Sequence, residues 1–200
     1  MKRALLSLAV LLATAAPAWA QHYDVLIRGG TVYDGSDTPG RIADVAIAGD
    51  RVVAVGIVPP TATATTLVDA TGKIVAPGFI DPHSHAAPNI QTAKLAAALP
   101  MLHQGITTLA INPDGGGPAE LGPQIADLRT NVPGVNVIPL IGHNAVRREV
   151  MGNVARLATP AEQARMEALV TAAMQAGAYG LSDGPFYIPS KYSNTAEIVG

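Results

Sequence analysis

Two hydrophobic periods divide the chain. From Tyr23 to about Asp69 apolar residues come in short alternating runs. Val25 and Ile27 alternate with Leu26 and Arg28, and Gly29-Gly30 is expected to end that strand before Thr31-Val32-Tyr33. Val45 and Ile47 lead to Gly49-Asp50, with Val52, Val53 and Val55 beyond. A two-residue Gly-X loop between alternating runs predicts a hairpin of the type II′ kind. Pro59-Pro60 and the Thr/Ala stretch after them read as an exposed connection. This segment predicts a small sheet or half-sandwich.

After Lys73 the pattern becomes strand, helix, strand. Ile74–Ile80, Ile106–Ile111, Val135–Ile141 and Ala178–Leu181 are short apolar strands. Thr92–Gln104 has Leu95, Leu99 and Leu102 at helical spacing, with Pro100 expected to kink or divide the helix. Ala119–Arg129 predicts a second helix. A third is marked by Thr159 at the N-cap, Pro160 at N1 and Glu162 at N3, with Met166, Leu169, Val170, Ala173 and Met174 on its apolar face and Gly177 at its end. Asn194 and Glu197 mark one more helix start. Strands alternating with helices imply an α/β fold on a parallel sheet, doubly wound or a (β/α)₈ TIM barrel. A closed barrel takes about 250 residues and eight strands, so the expectation is a truncated chain holding about the first four βα units.

The first twenty residues change how the length is counted. Lys2 and Arg3 precede a small, apolar run from Ala4 to Ala16, and Ala18-Trp19-Ala20 offers an A-x-A cleavage site. That is the anatomy of a signal peptide at 1–20, and it predicts an exported protein, periplasmic or secreted. The expected organisation is then 21–75 as part of a β-sandwich domain and 76–200 as the first half of a barrel. Removing Lys2 and Arg3 would take the formal charge from −2 to −4. No basic cluster stands out, which argues against nucleic-acid or anionic-membrane partners. With 48% apolar residues the chain is not of disordered composition, and without cysteine it has neither disulfides nor thiolate chemistry.

The ends of the predicted strands carry the chemistry. Asp81-Pro82-His83-Ser84-His85 follows the first barrel-type strand. Side chains alternate along a strand, so His83 and His85 share a face with Ser84 opposite, and paired imidazoles suit a divalent metal. Asp114, before Gly115-Gly116-Gly117, ends the second strand; it reads equally as a metal ligand or as an Asp-Gly turn. His143 follows the third strand and is open to three readings: ligand, support for a ligand, or structural. Tyr187, on a Pro-flanked loop, reads as a substrate contact or as loop packing. Ser182 lacks a nucleophile-elbow setting, and no Gly-Lys-Ser/Thr follows the glycine run, so neither a serine hydrolase nor a phosphate loop is indicated.

Tyr23 to Gly35 and Ala76-Pro77-Gly78-Phe79-Ile80-Asp81-Pro82-His83-Ser84-His85 resemble the opening of the amidohydrolase superfamily. Gly142-His143-Asn144-Ala145-Val146-Arg147, Val150-Met151-Gly152 and Gly180-Leu181-Ser182-Asp183-Gly184 with Tyr187 and Pro189 resemble its D-aminoacylase, or N-acyl-D-amino-acid deacylase, branch. The resemblance implies a zinc-dependent hydrolase that cleaves the amide bond of small N-acyl-D-amino acids with a metal-activated water, using one or two zinc ions. It matches His83 and His85 to first-strand metal ligands and Tyr187 to a tyrosine that contacts the substrate carboxylate. Asp114 falls where the branch usually has a metal-binding cysteine, and it is the third candidate ligand; His143 is a candidate substrate contact. By the same resemblance, the later-strand histidine ligands and the acid/base aspartate are expected beyond Gly200. Two alternatives stand: a cyclic-amide hydrolase of the hydantoinase or dihydroorotase type, or an inactive exported metal-binding fragment. The first would want a lysine at the fourth strand end, and Ala178–Gly184 holds none.

Overall fold

In a computed structural model, residues 21–200 are described, and they form two compact units that divide between Pro77 and Gly78. The expected signal peptide lies outside the described residues. No helix among those described is long and apolar enough to cross a membrane.

The first unit is a five-stranded mixed sheet. Strands β1 (His22–Val32), β2 (Arg41–Ala48) and β3 (Arg51–Gly56) run as antiparallel neighbours. Gly49, at φ +58°, turns the expected hairpin between β2 and β3. Strands β4 (Thr63–Asp69) and β5 (Ile74–Val75) pair parallel with β1. Two expectations fail here. Gly29-Gly30 does not end the first strand, because the register simply slips there and pairing continues through Val32. A bulge absorbs the glycine pair, and a Cβ at Gly30 would sit 2.5 Å from Val75 Cγ2. The Thr/Ala stretch after Pro60 is not a loop, for most of it is β4, whose backbone is satisfied by β1. Leu26 and Ala46 are fully buried with Tyr23 and Val58 in one cluster, and Val32, Ala43 and Val45 form another. Asp44 ties the bulge down: it accepts from Gly29 N (3.0 Å) and Val58 N (3.2 Å) and pairs with Arg28 (3.0 Å).

The second unit is built of parallel strands and helices. Strands β6 (Phe79–Ser84), β7 (Ile106–Ile111) and β8 (Asn136–Pro139) form one sheet in chain order. The third predicted strand divides at Leu140. Its continuation β9 (Ile141–Gly142) pairs parallel with β10 (Leu181–Ser182), and Tyr179 N donating to Pro139 O (2.9 Å) extends that pairing. Helices α3 (Leu121–Asn131), α4 (His143–Met151) and α5 (Pro160–Ala176) pack Leu121, Ile125, Val146, Val150, Met166 and Ala173 into one core with Ile141. Leu109 and Ile111 of β7 are fully buried in a second core.

The predicted helix over Thr92–Gln104 does not form. Only the single turns α1 (Ala87–Ile90) and α2 (Leu99–Leu102) are helical, with irregular turns between them. Ala98 sits in the left-handed region at φ +49°, and Pro100 has no N–H to continue a ladder. Leu95, Leu99 and Leu102, the supposed core face, are exposed. By contrast, α5 starts as its sequence predicts. Thr159 and Glu162 form a reciprocal capping box, and Arg156 grips Glu162 with two hydrogen bonds of 2.7 and 2.8 Å. Those guanidinium bonds, with the Thr159 donors, hold the Glu162 carboxyl far below the usual carboxylate range. Helix α6 (Thr195–Val199) is capped by the Asn194 side chain, which accepts from Glu197 N at 2.9 Å. Glu197 anchors this helix by accepting from the fully buried Arg147 Nε at 2.6 Å and from Ala158 N at 2.9 Å.

Candidate metal centre

Strands β6 and β7 deliver the three candidate ligands to one place. Parallel pairing places the ends of β6 and β7 side by side, with Ser84 opposite Ile111 after a shift of register between Asp81 and Ser84. Ser84, the last residue of β6, is buried, whereas His83 and His85 on either side of it are exposed. Asp114 arrives from the turn after β7. Asn112 and Asp114 both adopt left-handed backbone, at φ +62° and +59°, and bend the chain back towards the histidines.

One carboxylate oxygen faces both imidazoles. Asp114 Oδ2 lies 3.1 Å from His83 Nε2 and 3.4 Å from His85 Nε2, and the ligand atoms of all three residues lie within 4.8 Å of one another. Around a tetrahedral zinc with bonds of about 2.0–2.1 Å, neighbouring donor atoms stand about 3.3 Å apart. The two histidine–carboxylate spacings match that value, and two imidazoles with a carboxylate are a donor set zinc accepts. The residues present fit a zinc ion.

Beside this cluster opens a cleft of about 880 Å³, lined by His85, Asn112, Asp114, Arg148, Tyr187 and other residues. Tyr187 is half exposed at this rim, its ring edge-on to Phe186 at 5.8 Å between centroids. Arg148 is the one Lys or Arg among the lining residues described, and its Nη2 donates to Ile188 O at 3.2 Å, next to Tyr187. Nothing in the sequence singled Arg148 out, because α4 itself was not predicted. That helix begins at Gly142 without a side-chain cap, so the usual start signal is missing.

His143 does not join the cleft. It is buried at 4% exposure, and its Nδ1 meets Asp183 Oδ1 (2.9 Å) and Ser190 Oγ (2.8 Å). Its ring instead borders a smaller recess beside Glu197. Its Nδ1 is used within the fold, whereas its buried Nε2 has no hydrogen-bond partner among the described residues and lies 3.7 Å from Glu197 Oε1. The reason it is not in the cleft is topological: the first turn of α4 carries His143 under the 183–190 loop.

Three close backbone approaches hold the site together. A Cβ at Gly142 would lie 2.0 Å from Gly116 O and 2.3 Å from Gly115 O. A Cβ at Gly184 would lie 2.5 Å from Asp114 O, and one at Gly115 would lie 2.8 Å from Asn144 Nδ2. Ser182 bridges the same segments, accepting from Gly115 N (3.1 Å) and donating to Asn112 O (2.6 Å).

The sequence profile of the amidohydrolase family matches residues 66–190, more than half of the chain. The chain belongs to the amidohydrolase family. Within the amidohydrolases it is similar to D-aminoacylase of Alcaligenes xylosoxydans xylosoxydans, at 37% identity over 90% of this chain and 41% of that protein. It is similar also to the N-acyl-D-aspartate deacylase of the same organism, at 38% identity over 92% of this chain and 40% of that one. Among solved structures, N-acyl-D-glutamate deacylase from Bordetella bronchiseptica, complexed with zinc and a phosphonate mimic of the tetrahedral intermediate, superposes with a TM-score of 0.78. Its identity is 31%, covering 89% of this chain and 42% of that one. The chain therefore has the mixed α/β amidohydrolase fold of the D-aminoacylase branch, and it spans about two fifths of the length of these relatives.

Proposed function

We propose that the protein is a zinc-dependent hydrolase of the amide bond in N-acyl-D-amino acids, with His83, His85 and Asp114 holding zinc. The observation that carries this reading is the convergence of two Nε2 atoms on Asp114 Oδ2 at tetrahedral donor spacing. Bound zinc supplies Lewis acidity, polarising an amide carbonyl and lowering the pKa of a coordinated water towards about 7. The chain's own residues bind and orient. His85 and Asp114 face the cleft, which presents the scissile amide to them. Tyr187 and Arg148 both line the cleft, and a phenol and a guanidinium suit the carboxylate that every N-acyl amino acid carries. Similarity to three deacylases of N-acyl-D-amino acids supports this substrate class over the cyclic amides of hydantoinases.

The same proposal extends to architecture and location. The parallel order β6-β7-β8 followed by β9-β10 supports the first four βα units of a (β/α)₈ barrel, and the mixed sheet of the first unit supports part of a β-sandwich domain. The basic start, apolar run and A-x-A site of residues 1–20 support export to the periplasm or beyond.

Release of free amino acid from paired N-acetyl-D- and N-acetyl-L-amino acids tests the function. Turnover of the D forms with little of the L forms is expected; equal rates for both enantiomers would contradict the substrate assignment. Tyr187→Phe removes one donor to the carboxylate, and loss of a hydrogen bond to a charged group is worth about 1.5–3 kcal/mol. The expected result is a KM raised about 10-fold or more with kcat little changed, measured on the preferred D substrate. Unchanged KM would return Tyr187 to loop packing.

A further inference from the structure

We propose that Asn144 is the positioning residue for the Asp114 carboxylate, and that through it the loop carrying Tyr187 is tied to the metal-binding turn. The inference rests on the reading that His83, His85 and Asp114 hold zinc, and it adds a residue at the wall of the cleft whose amide hydrogens are both used within the fold.

Asn144 sits in the first turn of α4 and is 3% exposed. Its Nδ2 donates to Asp114 O at 3.0 Å and to Gly184 O at 3.3 Å, and its Oδ1 accepts from Ser190 N at 2.6 Å. Both amide donors are therefore used, and they join three separate segments: α4, the turn after β7, and the loop after β10. The amide has no spare donor to offer a ligand. Its work is structural, and its target is the backbone of a candidate ligand.

Asp114 needs such a hold. A non-glycine residue in the left-handed region carries a cost of about 1–2 kcal/mol, met only when the surroundings fix it there. The Asp114 carbonyl and carboxylate branch from the same Cα. A bond that fixes the carbonyl sets the position and direction of the Cα–Cβ bond, the base from which Oδ2 reaches the histidines. The next residue is held as well, with Ala145 N donating to Gly115 O at 3.0 Å and Ser182 Oγ accepting from Gly115 N. Those bonds hold the far side of the peptide. Asn144 alone among the described hydrogen bonds grips the carbonyl of Asp114 itself.

Gly184 links this turn to the loop after β10. Its backbone lies against Asp114 O so closely that a Cβ would come within 2.5 Å, and Tyr187 N donates to Gly184 O at 2.9 Å. The carbonyl of Gly184 is thus shared between Asn144 and the turn that carries Tyr187. One side-chain amide spaces the metal-binding turn from the phenol that meets the substrate.

The test is zinc titration of the complete protein in competition with a chelator dye, together with the visible absorption of the cobalt-substituted protein. Removal of a residue that orients a metal ligand lowers affinity about 10- to 100-fold. Asn144→Ala is expected to weaken zinc by that factor and to change the cobalt spectrum. Asn144→Asp keeps the acceptor for Ser190 N and nearly the same volume but offers no N–H to Asp114 O; the same loss is expected of it, and it serves as the second variant if the alanine protein does not fold. Asn136→Ala removes an exposed amide that donates to Thr107 O at 3.2 Å, near the start of β7 and outside the cleft lining, and it should leave zinc affinity and spectrum unchanged.

A double-mutant cycle decides the route of the effect. Because Asn144 acts through Asp114, Asn144→Ala should cost nothing further once Asp114 is alanine. Additive losses would overturn the proposal, as would wild-type affinity and spectrum in both Asn144 variants. If Asp114→Ala leaves zinc affinity unchanged, the metal reading itself fails and this inference with it. If Asp114→Ala weakens zinc and the Asn144 variants do not, only the positioning role is overturned.

Discussion

Replacing His83 with alanine should lower zinc affinity about 100-fold or more and leave no measurable hydrolysis. The factor is set at or above the upper end of what loss of a mere supporting residue costs, because here a ligand itself is removed. Three protein donors and one open position are what a catalytic zinc needs. With His83 gone, two of the three described donors remain, His85 and Asp114, and the ion is held less tightly and its open position less firmly fixed. His83 is a sound residue to change because it is exposed, and nothing in either core rests on it. Its loss should therefore leave the thermal midpoint of the metal-free protein within a degree or two of wild type. Metal analysis and hydrolysis of an N-acetyl-D-amino acid, read beside the melting curve, separate loss of the site from loss of the fold. A variant that binds zinc and turns over as wild type does would remove His83 from the ligand set.

Gly142→Ala should be as damaging for a different reason. Its backbone angles, φ −92° and ψ 125°, are ordinary for any residue, so no conformational strain is at issue. The conflict is space. A methyl group there would meet the carbonyl oxygens of Gly115 and Gly116 at 2.3 and 2.0 Å, and neither atom belongs to a side chain that could rotate away. Relief requires moving the glycine turn that follows Asp114, or the start of α4. Overpacking costs typically about 1–3 kcal/mol, and a backbone obstacle places this substitution near the upper end, about 3 kcal/mol. Urea denaturation should show that loss. Because the displaced turn also carries Asp114, zinc affinity of the surviving folded protein should fall with it. A stability within about 0.5 kcal/mol of wild type would contradict the close approach.

These two substitutions also mark what can and cannot be read from the amino-acid order. His83 and His85 stood out because they close an apolar strand, but β6 ends at Ser84 with its register shifted after Asp81, so their meeting at Asp114 rests on more than strand alternation. Helix α5 was legible because its capping box and proline are within four residues of its start. Gly142 was not. In a sequence, glycine before a helix reads as punctuation, and only the tertiary arrangement reveals that two carbonyl oxygens occupy the space its side chain would fill. Helix α4 went unpredicted for the same cause, since the space that excludes a Cβ at Gly142 also excludes a capping side chain. The false helix over Thr92–Gln104 shows the converse. Its leucines have the right period, but Ala98 and Pro100 interrupt the ladder, and the leucines face outward. Asp114 lies between these cases. Its position after an apolar strand suggested a ligand, yet an Asp-Gly turn was an equal reading until the left-handed bends at Asn112 and Asp114 brought its carboxylate to both histidines.

The central claim is that His83, His85 and Asp114 together hold the zinc on which hydrolysis depends. The most direct measurement strips the complete protein of metal with a chelator, then titrates zinc back while following both bound metal and release of amino acid from an N-acetyl-D-amino acid. No turnover is expected in the stripped protein, with recovery that rises in step with zinc bound and with Asp114→Ala failing to recover over the same zinc range. Full turnover without metal, or recovery of Asp114→Ala at the wild-type zinc concentration, would contradict the claim.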